Sequence, residues 1–251
     1  MSDAVLVTDA ESVRTITWND PDRLNGLTGV MLDIASDAVE HPPANTRVIV
    51  VTGAGRGFST GARLDGPLSG TEPMDKANRM IRAIVGSPLP VVAAVNGPAA
   101  GFGCSVALAA DITIARESAY FLLPFTSIGL MPDGGTTAVV AASIGRARAS
   151  AMALLGERLP ATEAVSAGLI HQAVADDDFG TEVDRVVDRL ARGASAAYRS
   201  TKQAIADATL SHLDDALDRE RDLQVQLLDT ADFAEGATAF LAKRPPVFQG
   251  K

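Results

Sequence analysis

Residues 94–135 read AVNGPAAGFGCSVALAADITIARESAYFLLPFTSIGLMPDGG, and they are the most informative part of the chain. They join an apolar run to a glycine-rich turn and a helical segment, and they end in a Pro-Asp-Gly-Gly turn. A second glycine-rich turn lies upstream, in VIVVTGAGRGFSTGARL at 48–64. Glycine lets a backbone approach a ligand closely, so both turns can direct bare N–H groups at one substrate oxygen. Together with one nearby carboxylate, they indicate enolate chemistry on a carbonyl compound.

Around this stretch, β-branched runs alternate with helical patterns. The predicted strands are 3–8 and 12–18, which form a hairpin, and then 47–53, 90–97, 111–115 and 168–174. The predicted helices are 28–40, capped by Thr28, then 74–86, 101–110, 134–143, 146–155 and 161–166. After residue 178, amphipathic helical segments continue almost to Pro245. The alternation favours α/β crossover units over an all-helical or all-β fold.

The composition limits the classes of partner. Of the 251 residues, 47% are hydrophobic and 21% are charged, which supplies ample material for a packed core. The net charge of −9 argues against nucleic acid or an anionic membrane surface as a partner. Cys104 is the only cysteine, and neither a signal peptide nor an apolar run of membrane-spanning length is recognisable. We therefore expect a cytoplasmic protein with no nucleic-acid and no membrane partner.

One alternative treats the upstream glycine turn as a dinucleotide cradle. Thr52, Gly53 and Gly57 fit the pattern T-G-x-x-x-G-x-G, and Tyr198 and Lys202 have the spacing of the Tyr-x-x-x-Lys pair of short-chain dehydrogenases. The eighth position of the pattern is serine rather than glycine, and the motif follows the third predicted strand rather than the first. A nicotinamide oxidoreductase therefore explains less of the chain than the enolate hypothesis does.

Several segments resemble the motifs of one superfamily in order and spacing. Residues 48–64 resemble the G-x-G-x-x-F-x-x-G-A-D-L turn of the crotonase (enoyl-CoA hydratase/isomerase) superfamily. Residues 94–115 are similar to its second motif, 129–170 to its third, and 232–248 to its C-terminal helix. The resemblance covers practically the whole chain, from about residue 5 to 248.

The resemblance implies an α/β fold, a crotonase-type spiral of ββα units over residues 1–195, with a C-terminal helical trimerisation region over 196–251. It implies an acyl-CoA substrate, no cofactor besides the coenzyme A of that substrate, and a homotrimer or a dimer of trimers.

The amides of Ala62 and Phe102 are implied to form an oxyanion hole, and Phe102 opens a predicted helix whose N-terminus favours negative charge. Taken singly, each glycine turn could be no more than a tight turn. The other implied substrate-binding residues are Gly61, Arg63, Leu64, Gly101, Ser105, Phe125 and Met131.

The two glutamates of the superfamily's hydratases are missing here. The matching positions are Ser105 and Phe125, neither of which can activate water as a carboxylate does. An acid lies further along, at Asp133, where some isomerases of the superfamily carry a catalytic aspartate and related 4-chlorobenzoyl-CoA dehalogenases a nucleophilic one. One carboxylate suffices to move a proton between two carbons, and an apolar wall with Phe125 and Met131 would desolvate it. The alternative is that Asp133 only caps the helix predicted to start near Gly134.

The remaining polar candidates are weaker. Glu117 and Asp65 are expected to be solvated charges, and Arg63 either contacts the CoA phosphates or is a solvated charge as well. No metal is expected, because no ligand spacing links the three histidines, His41, His171 and His212. We therefore expect an acyl-CoA isomerase with Asp133 as the proton shuttle. The alternatives are an enoyl-CoA hydratase with an unusual arrangement of acid and water, and an acyl-CoA-binding protein weakened in catalysis.

Overall fold

The computed structural model describes residues 4–64 and 69–251, and its largest layer is a six-stranded sheet. The strands, in their order across the sheet and numbered along the chain, are β1 (Val5–Ala10), β2 (Val13–Trp18), β3 (Val48–Gly53), β4 (Val91–Val95), β6 (Ile112–Arg116) and β9 (Gln172–Val174). The first pair is an antiparallel hairpin, and the other pairings are parallel. Every residue of β4 is buried, as is typical of a strand covered on both faces. The predicted strands are confirmed, although the last is shorter than expected.

Short strands that follow the long ones form a second sheet. They are β5 (Ala99–Ala100), β7 (Tyr120–Leu122) and β8 (Leu159–Pro160). An isolated parallel bridge between Ser59 and Ala99 joins the segment after β3 to this sheet. Several long strands are thus followed by a short extended segment and then by a helix, which is the expected ββα repeat.

Three helices of the first half lie where the sequence predicts them. They are α1 (Gly29–Glu40), α2 (Glu72–Gly86) and α3 (Phe102–Ala109). Thr28 caps α1 as predicted, because its hydroxyl oxygen accepts a hydrogen bond from Met31 N at 3.3 Å. All eight residues of α3 are buried, so this helix lies in the centre of the core.

The next helix, α4 (Thr136–Leu155), is kinked at Gly145, whose φ of 77° and ψ of 159° are not helical. The two helices predicted at 134–143 and 146–155 correspond to its two halves. In the described ranges, α4 is the one helix that is long and apolar enough to cross a membrane by length and composition. The kink divides it into halves of about ten residues, and a helix needs about 20 to cross the hydrocarbon core.

The rest of the chain is mostly helical: α5 (Ala161–Ala167), α6 (Phe179–Arg192), α7 (Ser195–Thr209), α8 (Leu213–Leu228) and α9 (Ala231–Leu241). α8 packs on the core of its own chain, where Leu217 is fully buried and its carbonyl accepts a hydrogen bond from Asn78 Nδ2 at 3.0 Å. α9 packs on a 3₁₀ turn at Phe125–Ile128, and a Cβ on Gly236 would collide with the backbone of Ile128. The C-terminal helices therefore cover part of the core that carries the site described next.

Candidate active site

The turn after β3 presents the backbone amide of Ala62. Leu27 N donates to Gly61 O at 2.8 Å, and Arg63 N donates to Leu27 O at 3.0 Å, so the chain on both sides of Ala62 is fixed to Leu27. The Ala62 amide between these two bonds has no hydrogen-bond acceptor among the described residues, and Ala62 is exposed. An amide left unpaired on a rigid turn is available to a ligand oxygen.

Gly61 places this turn against the start of α3. Its φ is +85°, in the left-handed region that favours glycine, and a Cβ there would lie 2.8 Å from Phe102 N and 2.9 Å from Ala100 O. The turn is held from within, because Gly61 N donates to Ser59 Oγ at 3.1 Å and that hydroxyl donates to Asn25 O at 2.8 Å. The two glycine-rich turns therefore meet at Gly61.

The second amide belongs to Phe102, the first residue of α3. Gly101 precedes it with a φ of +54°, and Gly101 N is fixed to Leu122 O at 3.0 Å. The carbonyl four residues before Phe102 is that of Pro98, which accepts instead from Phe58 and Ser59. The Phe102 amide has no acceptor in the described parts of the chain, and it lies at the positive end of a helix. The structure thus brings the two predicted oxyanion donors onto adjoining turns.

Asp133 is buried, with 7% of its surface exposed. Its Oδ2 accepts a hydrogen bond from Gln224 Nε2 at 3.1 Å, whereas its buried Oδ1 has no donor among the described residues. Burial raises the pKa of this carboxyl group to about 7, the hydrogen bond from Gln224 opposes the rise, and the nearby Glu220 carboxylate adds to it. A buried carboxylate oxygen without a partner is costly, and a bound substrate that supplies a proton would explain it.

The turn that carries Asp133 packs against α3. Ser105 Oγ donates to Asp133 O at 2.9 Å, and Thr136 Oγ1 donates to the same carbonyl at 2.9 Å. Gly134 has a φ of +64°, and a Cβ there would lie 2.7 Å from Ser105 Cβ and 2.8 Å from Phe102 Cε2. Asp133, Ser105 and Phe102, which the sequence analysis assigned to the site, therefore lie in one cluster.

Asp133 does not cap α4 with its side chain. The first amides of α4 are satisfied by Glu220 of α8, which accepts from Gly135 N at 2.6 Å and from Thr137 N at 3.0 Å. Glu220 also accepts from the Thr137 hydroxyl at 2.5 Å, and burial raises the pKa of Glu220. The capping role considered for Asp133 is therefore wrong in this structure, because another carboxylate performs it.

Glu220 and Gln224 were missed in the sequence. Both are almost fully buried, at 1% and 2% exposure, on the face of α8 that also buries Leu213, Ala216 and Leu217. That face has the helical spacing of an apolar stripe, and two polar residues interrupt it. Buried polar residues need hydrogen-bond partners. The two polar residues within this apolar stripe were therefore the sequence feature that could have indicated a role for them in the site.

The other predicted substrate-binding residues lie around the cluster or beside it. Phe125 is buried at the start of the 3₁₀ turn, and Met131 and Leu64 are half-buried. Arg63 is half-buried and lies 3.5 Å from the Asp20 carboxylate, so it is not a free surface charge. Glu117 is exposed between β6 and β7. Asp65 lies outside the described residues.

Charged groups on α1 and α2 line a surface cavity of about 530 Å³ that includes no predicted site residue. Beside this cavity, at the end of α1, His41 lies near Asp37 and Glu40, although the sequence showed no ligand spacing for it, and all three are exposed. Arg79 pairs with both of these carboxylates. The arrangement is a network of surface ion pairs, which needs no metal to explain it.

Lys202, which has the Tyr-x-x-x-Lys spacing of the dehydrogenase pair with Tyr198, makes structural contacts. Its ammonium group lies 2.8 Å from the Asp111 carboxylate and donates to the carbonyls of Ile84 and Leu89. The side chain of Lys202 is only 10% exposed and that of Asp111 26%.

Replacement of Lys202 by methionine is expected to lower the free energy of unfolding by about 1–3 kcal/mol, because it leaves the partly exposed Asp111 without its cation and two carbonyls without their donor. Turnover per folded molecule should stay near the wild-type value. Urea unfolding and enoyl-CoA kinetics on the same preparation measure both quantities. Asp111→Asn added to Lys202→Met should restore part of the stability, whereas loss of turnover without loss of stability would give Lys202 a chemical role.

Comparisons with known proteins show which family and which solved structures this chain is similar to. The sequence model of the family described as Enoyl-CoA hydratase/isomerase matches residues 8–251. A Rhodobacter capsulatus protein named "Probable enoyl-CoA hydratase" is 42% identical over 96% of this chain and 96% of its own. The 1,2-epoxyphenylacetyl-CoA isomerase of Escherichia coli is 38% identical over 100% of both chains. A crystal structure of an enoyl-CoA hydratase from Mycobacterium avium subsp. paratuberculosis is similar with a TM-score of 0.94 and 49% identity, over 98% of each chain.

Proposed function

Because the chain belongs to the enoyl-CoA hydratase/isomerase family, we propose that it is an acyl-CoA isomerase that moves a double bond through a thioester enolate. The observation that carries the proposal is the buried carboxylate of Asp133, which has one oxygen unpaired and lies in a cluster with Phe102, whereas the nearby buried carboxylate of Glu220 is occupied by the first amides of α4. The positions where hydratases of the superfamily carry glutamates hold Ser105 and Phe125 instead. One carboxylate with a free oxygen fits a proton shuttle better than it fits the addition of water, which needs both a base and an acid.

The mechanism needs one proton and no other reactant. In a 3-enoyl-CoA, the Asp133 carboxylate takes a proton from C2, and the electrons flow into the thioester carbonyl to give a dienolate. The amides of Ala62 and Phe102 donate hydrogen bonds to the enolate oxygen and stabilise its charge. Asp133 then returns the proton at C4, which leaves the double bond between C2 and C3. A pKa near 7 suits both steps, because the group can accept and release a proton near neutral pH.

A hydratase is the second candidate, since two of the similar proteins carry that name. Hydration of a 2-enoyl-CoA needs a base for water and an acid for C2. Phe125 can serve as neither, and the Ser105 hydroxyl already donates to Asp133 O. A hydratase of this chain would have to use Asp133 in both roles. An acyl-CoA-binding protein without turnover is the third candidate.

Incubation with panels of 3-enoyl-CoA and 2-enoyl-CoA thioesters in heavy water, followed by mass analysis, separates these candidates. An isomerase converts the 3-enoyl thioester into the 2-enoyl thioester with no gain of water and with deuterium at most at C2 or C4. A hydratase adds one molecule of D₂O to the 2-enoyl thioester. Tight binding of the thioesters without any conversion would indicate an acyl-CoA-binding protein. Saturable binding of NAD(P)H would instead support the nicotinamide oxidoreductase. The proposal fails if 3-enoyl thioesters are not converted.

The proposal includes no cofactor besides the coenzyme A of the substrate, and it places the enzyme in the cytoplasm. Its acyl-CoA substrate belongs to the class expected for the family.

We expect the chain to assemble as a homotrimer or a dimer of trimers, with residues 196–248 forming much of the contact. The tail leaves several large apolar side chains exposed: Leu223, Phe240, Leu241, Val247 and Phe248. Burial of apolar surface is the main favourable term in association, so these side chains favour a partner subunit. Sedimentation velocity at micromolar concentration measures the assembly. A stable monomer would contradict the expectation, and so would an assembly in which 196–248 contacts only its own subunit.

A further inference from the structure

We propose that Gln224 is a positioning residue of this site, which ties one oxygen of the Asp133 carboxylate to α8 and leaves the other oxygen for the substrate proton. This inference rests on the proposed role of Asp133 as the proton shuttle. Gln224 belongs to the C-terminal helices and is 91 positions from Asp133 in the sequence. It is 2% exposed, so water does not compete for its amide.

The orientation of the Gln224 amide is fixed by the backbone of Met131. Met131 N donates to Gln224 Oε1 at 3.0 Å, and Gln224 Nε2 donates to Met131 O at 2.9 Å. A flipped amide would set two donors against each other and two acceptors against each other. Nε2 must therefore face the Asp133 side, where its second hydrogen reaches Oδ2 at 3.1 Å. The amide oxygen and both amide hydrogens of Gln224 are then all used.

The choice of glutamine has a chemical consequence. A neutral donor holds the carboxylate in place without the full positive charge of lysine or arginine, which would make it a much weaker base. Glu220, one turn earlier on α8, acts on Asp133 in the opposite direction through its negative charge. Cys104 lies in the buried helix α3, where burial raises the thiol pKa to about 12, so it is neutral. Arg219 acts on Glu220 by lowering its pKa.

The test compares two substitutions on the same helix. Gln224→Met keeps the length of the side chain and removes the donor, and Gln226→Met makes the same change at an exposed position of α8. Gln224→Met is expected to lower kcat by about 10- to 100-fold, the cost of a displaced catalytic group, with a smaller change in KM. The acid limb of the kcat profile should move to higher pH, because a lost hydrogen bond to the charged form raises the pKa of Asp133. Gln226→Met should leave kcat, KM and the limb unchanged.

A merely structural role for Gln224 would lower stability or kcat without moving the acid limb, and that result would overturn the proposal. Gln224→Glu serves as the second variant, because it keeps an acceptor for Met131 N and the size of the side chain. Its added negative charge should move the limb further to higher pH than Gln224→Met does.

The role of Gln224 can also be measured without turnover. Titration of the Asp133 carboxyl carbon by ¹³C NMR, in substrate-free protein with labelled aspartate, reports the same pKa directly. The Asp133 resonance is assigned by its loss in Asp133→Asn. If the wild type converts no 3-enoyl-CoA, the proposed function fails, and the titration still tests Gln224. An Asp133 titration that is identical in the wild type and in Gln224→Met would overturn the positioning role whatever the activity.

Discussion

Replacement of Asp133 by asparagine is expected to lower isomerase turnover by about 10²–10⁴-fold, the range for loss of a positioned acid–base group. Asparagine keeps the size of the side chain and an oxygen that can accept from Gln224 Nε2, so the turn should persist. The affinity for a CoA thioester should barely change. Steady-state kinetics with a 3-enoyl-CoA, together with calorimetric titration of a non-reactive acyl-CoA, measure the two quantities separately.

Asp133→Asn is also expected to raise the free energy of unfolding above about pH 7. The folded-state pKa of Asp133 is raised from the ordinary aspartate value of 3.8 to about 7, so the folded state disfavours the charged form. This unfavourable contribution is fully present above about pH 7, decreases as the pH falls and is absent below the unfolded-state pKa. Asp133→Asn should therefore be more stable than the wild type at pH 8, by on the order of a few kcal/mol. The gain should disappear as the pH approaches 4, and urea midpoints across that range follow it.

Ser105→Ala is the companion variant for Asp133→Asn. It removes a neighbouring hydroxyl that donates to Asp133 O, but it leaves the carboxylate in place, so turnover should fall much less. Full activity in Asp133→Asn would refute the proposed shuttle while leaving the family membership intact. The search for the base would then turn to Glu117, to Asp65 or to a residue of a neighbouring subunit.

Replacement of Gly61 by alanine is expected to lower turnover by about 10²–10³-fold or more, the cost of one lost oxyanion donor. The new Cβ would lie 2.8 Å from Phe102 N and 2.9 Å from Ala100 O, and both are backbone atoms that cannot swing aside. The turn must move away from α3, which separates the amides of Ala62 and Phe102. Kinetics with a 3-enoyl-CoA measure the loss, and the same substrate oxygen is contacted in any enolate mechanism, so hydratase activity should fall equally.

Gly168→Ala is the matched control. Its φ of +81° is close to the +85° of Gly61, so both substitutions carry the same backbone strain of about 1–2 kcal/mol. The nearest atom to a Cβ on Gly168 is Ser143 O at 3.9 Å, an ordinary contact, so only Gly61→Ala adds a collision. Equal turnover in the two variants would mean that the amides beside Gly61 do not hold the reacting oxygen.

Local patterns were sufficient for the main strands and for the turns that carry the two proposed oxyanion donors. The run VIVVTG in β3 is rich in β-branched residues, which favour a strand, and the glycines after it indicate where the backbone bends. The strands β5, β7 and β8 were not predicted, because two or three residues are too short to show a period. The kink at Gly145 was visible only as a break between two predicted helices.

The polar partners of Asp133 could not be predicted from local patterns. Gln224 is 93 positions from Met131, and Glu220 is 85 positions from Gly135, so only the folded chain brings them together. In the sequence, both looked like ordinary residues of an amphipathic helix. Their burial follows from the packing of α8 on α2 and α4, which no local period encodes.

The contact of α8 with the Asp133 turn also sets the order in which the enzyme can become active during its synthesis. The ribosome adds Glu220 85 residues after Gly135, and Gln224 follows later still, whereas domains fold from the N-terminus as they emerge. Until then, the amides of Gly135 and Thr137 lack their cap, and the Asp133 carboxylate lacks its donor. A nascent chain that ends before α8 contains both proposed oxyanion turns, yet it lacks the Gln224 amide that donates to the proposed base. A premature stop before residue 220 is therefore expected to give an inactive protein, although its proposed catalytic residues have all been translated.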